Sequence, residues 1–150
     1  MNSQDPRKHA ENPPVAEEFP AEMAGLRMTR QRREIYSLLL QEKAHPSANE
    51  IFLRAQERIP GLSLATVYNV LEALTSHNLV KQVNFEREPS RYCSNPVEHG
   101  HFHDSKTGTI HDITFKEGVN PADFLNLPSG AKITSLELTL RGSLKSKKSN

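Results

Sequence analysis

Arg91–Ile113 reads RYCSNPVEHGHFHDSKTGTIHDI and concentrates side chains that can bind metal. It holds Cys93, which is the single cysteine of the chain, and four of the seven histidines. Three of these recur at a spacing of two, which places their imidazoles on one face of a β-strand: His99, His101 and His103.

The residues after these histidines predict a hairpin. Ser105–Gly108 has the composition of a tight turn, in which glycine supplies a positive φ. The returning strand then brings Asp112 beside the histidines. Imidazole nitrogen, thiolate sulfur and carboxylate oxygen together suit zinc, divalent iron or manganese. The stretch therefore predicts a metal-binding hairpin. The alternative is an exposed hairpin that happens to be rich in histidine.

The composition bounds the class of protein. With 150 residues, 35% of them hydrophobic, the chain can form one medium domain or two small ones. It has no apolar run near the roughly 20 residues that a membrane helix needs, and no secretory signal is recognisable. One cysteine allows no internal disulfide, which fits a reducing cytoplasm. The net charge is only +1, so a nucleic-acid role must rest on where the charges lie.

The N-terminal half predicts a winged helix. Ala16–Gly25 is predicted as a short helix. Three amphipathic helices with N-terminal capping residues follow, over Thr29–Gln41, Ser47–Arg58 and Ser63–His77. Strand-like segments at 79–85 and 90–92 then form a two-stranded wing.

Two groups of residues in this half are candidates for DNA contact. A cluster of arginines lies at the start of the first amphipathic helix, where positive charge opposes the helix dipole, and a phosphate partner accounts for it better than a solvated helix start. The third helix carries small, aromatic and amide side chains that suit base edges in a major groove, although an ordinary solvated face remains the alternative. The candidates are Arg27, Arg30, Arg32, Arg33, Ser63, Ala65, Thr66, Tyr68 and Asn69.

Beyond the hairpin the signals are weaker. Asn120–Leu127 predicts a short helix and Lys132–Leu140 a strand. The predicted organisation is a disordered tail over 1–15, a DNA-binding domain over 16–88, a metal-binding domain over 89–142 and a basic tail over 143–150.

Several of these motifs together resemble one family. They are Gly25-Leu-Arg-x-Thr-x-x-Arg32, His45-Pro-Ser-Ala, SLATVYNVLEAL at Ser63–Leu74, Arg91-Tyr92 and the H-x-H of the hairpin. Over about Gly25 to Leu140 the chain resembles the Fur (ferric uptake regulator) family of metal-dependent transcriptional repressors. The resemblance implies an α+β fold with an N-terminal winged helix-turn-helix domain and a small C-terminal α/β dimerisation domain. It also implies a cytoplasmic homodimer, not an enzyme, that binds a palindromic double-stranded DNA operator when metal is bound.

The resemblance also implies a ligand set. With Gly108 aligned on the glycine of the family's H-x-H-x-x-C-x-x-C-G hairpin, the ligands of one divalent metal per subunit are His45, Cys93, His99, His101 and Asp112, with His103 in reserve. Asp104 and Thr107 occupy the two cysteine positions. The family's four-cysteine structural zinc therefore cannot form, and strand pairing and apolar burial must hold the dimer.

The identity of the metal and one rival class stay open at this point. A thiolate at Cys93, where the family usually has a carboxylate, favours zinc over iron or manganese, while an iron- or manganese-dependent or peroxide-sensing regulator is the alternative. Cys93 could also be a small buried strand residue or a metal-free thiol switch. A small zinc hydrolase with Glu98 as base is the rival, but it gives no reason for the arginine cluster.

Overall fold

A computed structural model describes residues 15–42, 44–95 and 99–145. The chain has an α+β fold and divides into two compact units, Met1–Pro96 and Val97–Asn150. Most of the predicted N-terminal tail, residues 146–150 of the predicted basic tail, and Glu98 lie outside the described residues. In the ranges described, no helix is long and apolar enough to cross a membrane.

The first unit begins with a 3-10 turn and a small hairpin. The turn spans Ala16–Glu18, and strands β1 (Glu22–Met23) and β2 (Leu26–Arg27) pair antiparallel. The helix predicted over Ala16–Gly25 is therefore wrong. Ala24 and Gly25 have φ of 49° and 80°, a left-handed conformation that reverses the chain and that a right-handed helix excludes.

Three helices follow, in the order predicted. They are α1 (Arg30–Gln41), α2 (Ala48–Ala55) and α3 (Leu64–Ser76). The hydroxyl of the residue before each helix accepts a backbone N–H three residues on, and the three capping residues are Thr29, Ser47 and Ser63. These caps satisfy donors that the helix itself leaves unpaired. Only α2 is clearly shorter than predicted, because it ends at Ala55 rather than near Arg58.

The helices enclose one apolar core and carry a two-stranded wing. Ile35, Ile51 and Leu74 are fully buried in this core. Strands β3 (Lys81–Val83) and β4 (Arg91–Cys93) pair antiparallel and complete a winged helix. Because β4 pairs with β3, the wing lies wholly in the first unit, and the chain divides after Pro96, later than the 88/89 boundary proposed from the sequence.

The second unit is built on a three-stranded sheet. Strands β5 (Gly100–Asp104) and β6 (Ile110–Ile113) form the predicted antiparallel hairpin, with His101 opposite Asp112. Strand β7 (Thr139–Gly142) pairs parallel with β5 on its other side, which gives the order β6-β5-β7.

The C-terminal elements differ from those predicted. Asn120–Leu127 forms only a 3-10 turn, Pro121–Phe124, which the Asn120 side chain caps, and the described residues of this unit contain no α-helix. The predicted strand Lys132–Leu140 is shifted towards the C-terminus. The Leu138 carbonyl accepts a hydrogen bond from the His101 N–H at 2.9 Å, and the parallel ladder runs from Thr139 to Gly142. Pairing with β5, and not the leucine alternation alone, decides where this strand lies.

Candidate metal centre and nucleic-acid interface

Three predicted ligands converge in the second unit. His99 precedes β5, His101 lies in β5, and Asp112 lies opposite it in β6. The side chains of His99 and His101 are 0% and 8% exposed, whereas the side chain of Asp112 is 32% exposed. The rings stand edge to face, with centroids 4.7 Å apart.

The donor atoms of these residues form a small triangle. The Nε2 atoms of His99 and His101 lie 3.1 Å apart, and they lie 3.4 Å and 3.5 Å from Oδ1 of Asp112. Zinc–nitrogen bonds of about 2.0–2.1 Å at tetrahedral angles require donor separations of about 3.3 Å. The triangle is therefore close to what one face of a tetrahedral metal site requires.

The other two predicted ligands lie together in the first unit. His45 precedes α2 and Cys93 ends β4; both are buried, at 6% and 5% exposure. A donor atom of the histidine lies within 4.8 Å of the Cys93 sulfur. Hydrogen bonds join their chain segments, since the Tyr92 N–H donates to the Pro46 carbonyl at 2.9 Å and the Arg91 guanidinium donates to the His45 carbonyl at 3.3 Å.

The hairpin turn forms without cysteines. The Lys106 N–H donates to Oδ1 of Asp104 at 3.0 Å, and this bond lowers the pKa of the Asp104 carboxyl. Both the N–H and the hydroxyl of Ser105 donate to the Gly142 carbonyl at 2.9 Å, which ties the turn to β7. Hydrogen bonds thus hold this turn. His103, the reserve ligand, is buried on the His101 face of β5 but does not belong to the donor cluster.

Gly100 is a residue of this site that the sequence pattern did not single out. A Cβ at this position would lie 2.8 Å from the Leu138 carbonyl oxygen and 3.2 Å from the Ile113 side chain. Glycine therefore permits the close packing of β5 against both neighbours between the two ligand histidines. A glycine between two histidines in a strand was the available signal.

The exposed face of α3 presents the predicted base-contacting residues. Ala65, Tyr68 and Asn69 are exposed at a spacing that places them on one helix face. Ser63 and Thr66, also predicted to contact DNA, pair at the helix start: the Ser63 hydroxyl accepts the Thr66 N–H at 3.1 Å and contacts the Thr66 hydroxyl at 2.9 Å.

The four arginines divide into two pairs. Arg27 and Arg30 are exposed. Arg32 donates from Nη1 to the Arg27 carbonyl at 2.8 Å, and Arg33 donates from Nε to the Met28 carbonyl at 2.9 Å. These two half-buried side chains fasten β2 to α1. Arg27, Arg30 and Arg33 line a groove of about 800 Å³ at the start of α1.

Comparison with known proteins identifies the class to which this fold and these donors belong. The sequence model of the ferric uptake regulator family matches residues 23–141, and the chain belongs to this family. Its members are metal-responsive transcriptional regulators and not enzymes. The single cysteine excludes the family's paired-CxxC zinc site from this chain.

Individual relatives are similar to this chain at modest sequence identity. The peroxide-responsive repressor PerR of Staphylococcus epidermidis is 33% identical over 94 residues, which are 63% of each chain, so the match spans less than two thirds of that relative. Among solved structures, a zinc-bound manganese uptake regulator is 27% identical, covers 88% of this chain and 100% of its own, and has a TM-score of 0.64. The Campylobacter jejuni peroxide stress regulator is 27% identical with a TM-score of 0.65, covering 78% and 87%.

Proposed function

We propose that this chain is a repressor that binds operator DNA when one divalent metal, most favourably zinc, is bound to each subunit. The observation that carries the proposal is the triangle of His99, His101 and Asp112 donor atoms, with separations of 3.1–3.5 Å. Two imidazole nitrogens and a carboxylate oxygen at these separations can bind one cation together.

The metal site comprises His45, Cys93, His99, His101 and Asp112. The family alignment supports this set, and each unit brings its own members together: two donors in the first unit and three in the second. A metal that takes ligands from both units restrains the angle between them. In a dimer, that angle sets the spacing of the two α3 helices, which must match half-sites separated by whole helical turns. Metal and operator then stabilise the same conformation and strengthen each other's binding.

Zinc is favoured because of Cys93. Thiolate and imidazole ligands suit zinc, whereas harder carboxylate sets suit manganese and iron(II). Zinc is also the metal named for one structurally similar regulator, the zinc-bound manganese uptake regulator.

A peroxide-responsive repressor is the second candidate, because the similar staphylococcal proteins carry that name. Mass spectrometry of peroxide-treated protein separates the candidates. Oxidation of a ligand histidine in iron-loaded protein would support peroxide sensing through iron. Sulfenic acid at Cys93 in metal-free protein would support a thiol switch. An intact ligand set in zinc-loaded protein is the result expected of a zinc sensor.

We propose different roles for the two pairs of arginines. Arg27 and Arg30, with Ala65, Tyr68 and Asn69, are proposed to contact the operator, whereas Arg32 and Arg33 act chiefly by holding β2. Replacing Arg30 by alanine is expected to lower the slope of log affinity against log salt by about 1. Arg33→Ala is the matched comparison, and we expect it to lower thermal stability more than the salt slope.

Metal-dependent DNA binding tests the proposed function directly. An operator is first selected from random duplexes with zinc-loaded protein, and its affinity is then measured by fluorescence anisotropy with zinc or with chelator. Wild type and His111→Ala, a control at an exposed histidine of β6, should bind tightly only with zinc. His99→Ala should remain weak in both conditions. Equal binding by His99→Ala and wild type in zinc would reject the site.

A DNA-binding regulator of this kind would act in the cytoplasm.

A further inference from the structure

The first unit contains a cavity of about 380 Å³ between the start of α2, the middle of α3 and the β3–β4 hairpin. Its walls include Asn49 in the first turn of α2, Tyr68 and Glu72 on α3, and Tyr92 on β4. Building on the proposed DNA binding, we propose that this cavity receives one phosphate group of the DNA backbone when α3 lies in the major groove. This contact adds to those of the arginines and of the exposed α3 face.

The start of α2 supplies one side of this site. The first N–H groups of a helix have no acceptor within the helix, and the helix dipole places partial positive charge there. The Ser47 hydroxyl already accepts the Glu50 N–H at 3.3 Å. One residue earlier, Asn49 lines the cavity. Its N–H lies in the first turn of α2 and has no acceptor within the helix. Anionic oxygens bind readily at such helix starts.

Tyr92 supplies an independent indication of a ligand. Its side chain is only 6% exposed and lines the same cavity. Within the described ranges of the chain, its hydroxyl makes no hydrogen bond. The oxygen itself is accessible rather than sealed in the interior, so it can donate to an acceptor that enters the cavity from outside. A phosphate oxygen would accept from the Tyr92 hydroxyl and from the start of α2.

The carboxylate at the cavity wall disfavours the binding of a free anion. Glu72 is exposed at the wall, and its carboxylate repels a small anion that has no other contact with the protein. A DNA phosphate is different, because Tyr68 on the same wall belongs to the proposed DNA-contacting face. The remaining DNA contacts hold such a phosphate in place despite the carboxylate.

Single-phosphate replacement tests the proposal on the full chain loaded with zinc. In the selected operator duplex, one phosphate at a time is replaced by an uncharged methylphosphonate, and affinity is measured by anisotropy. We expect one position in each half-site at which wild type loses affinity but Tyr92→Phe does not. On unmodified operator, Tyr92→Phe should bind about tenfold more weakly or worse, the usual effect of losing a hydrogen bond to a charged group.

Two further variants make the result specific. Tyr36→Phe alters a fully buried tyrosine of the same unit outside the cavity wall, and it should show the wild-type pattern of phosphate sensitivity. Glu72→Gln should raise affinity for unmodified operator, and the gain should vanish with the methylphosphonate at the sensitive position. Glu57→Gln, at an exposed residue outside the cavity wall, serves as its charge control.

The outcomes separate this proposal from the proposed function. If wild type selects no DNA, the proposed function fails. If wild type binds an operator but no phosphate position depends on Tyr92, the cavity proposal alone is overturned. It is overturned equally if inorganic phosphate in the absence of DNA shifts the NMR signals of the Asn49 amide as the operator does, because the site would then bind free anions.

Discussion

At the scale of the residue, Cys93 is the proposed ligand that would decide which metals the proposed site prefers. The thiol is buried within 4.8 Å of a His45 donor atom. A thiolate at this position raises the preference for zinc, and a carboxylate would lower it.

Cys93→Asp tests this preference. We expect the ratio of zinc affinity to manganese affinity to fall by about tenfold or more, because a harder oxygen donor replaces sulfur in the first coordination sphere. Competition titrations with a metal-binding dye measure both affinities, with Ser94→Asp as a control at the next residue. An unchanged ratio would show that Cys93 is a packing residue.

Asp104 gives the second prediction at this scale. Its pKa is lowered, chiefly by the Lys106 N–H, so the ionised form is favoured in the folded state. The resulting stabilisation is complete above the ordinary Asp pKa of 3.8 and is lost as pH falls through the lower folded value. Asp104→Asn retains an oxygen acceptor but cannot ionise. Metal-free Asp104→Asn should therefore lose less thermal stability than wild type between about pH 5 and pH 3. Curves of thermal stability against pH that run parallel for Asp104→Asn and wild type would contradict this role. Asp123→Asn, at an exposed carboxylate, is the control.

At the scale of the element, strand β5 depends on the missing side chain of Gly100. Gly100→Ala should destabilise the protein by about 1–3 kcal/mol, as overpacking does, because its Cβ would meet the backbone of Leu138 at 2.8 Å. Gly142→Ala is the matched control in the same sheet, where the new Cβ would be in ordinary contact with the Phe102 ring at 3.4 Å. Chemical denaturation measures both variants, and equal losses would show that the close approach at Gly100 is unimportant.

The sequence predicted those elements whose signals are local. Capping hydroxyls and apolar spacing located α1, α2 and α3, and the alternating histidines with a glycine turn located the β5–β6 hairpin. The sequence could not locate β7, because its register depends on parallel pairing with β5, distant in the chain. It also missed the β1–β2 hairpin, where Ala24 adopts a left-handed conformation that alanine rarely takes.

The candidate site was predictable to a different extent. Strand geometry predicted Asp112 beside the histidines, and the structure pairs it with His101. His45 entered only through the family resemblance, since its sequence neighbourhood carries no ligand pattern. The tasks of Arg32 and Arg33 could not be read from charge, because they depend on carbonyls that only the folded β2–α1 connection presents.

At the scale of the whole molecule, regulators of this family are DNA-binding dimers, and the chain lacks cysteines for a structural zinc. The second unit exposes apolar side chains that can support association, among them Phe124 at 76% and Leu144 at 52%. We therefore expect the dimer to survive removal of metal.

Light scattering during gel filtration tests this expectation. The mass should remain that of a dimer in the presence of chelator, and Phe124→Glu should shift it towards the monomer, because a carboxylate would be buried in the contact. Leu53→Glu, at a 64% exposed leucine of the first unit, should leave the mass unchanged. Dissociation of wild type by chelator would mean that metal holds the dimer.

The most direct test of the central claim is the metal content of the protein purified without chelator, measured by elemental analysis for wild type, Cys93→Ser, His101→Ala and His111→Ala. We predict about one zinc per chain in wild type and in the His111→Ala control. The Cys93→Ser and His101→Ala variants should have much less. Iron or manganese retained by Cys93→Ser would move the protein to the iron- or manganese-dependent branch. Wild type without metal, yet with full operator binding, would contradict the metal site altogether.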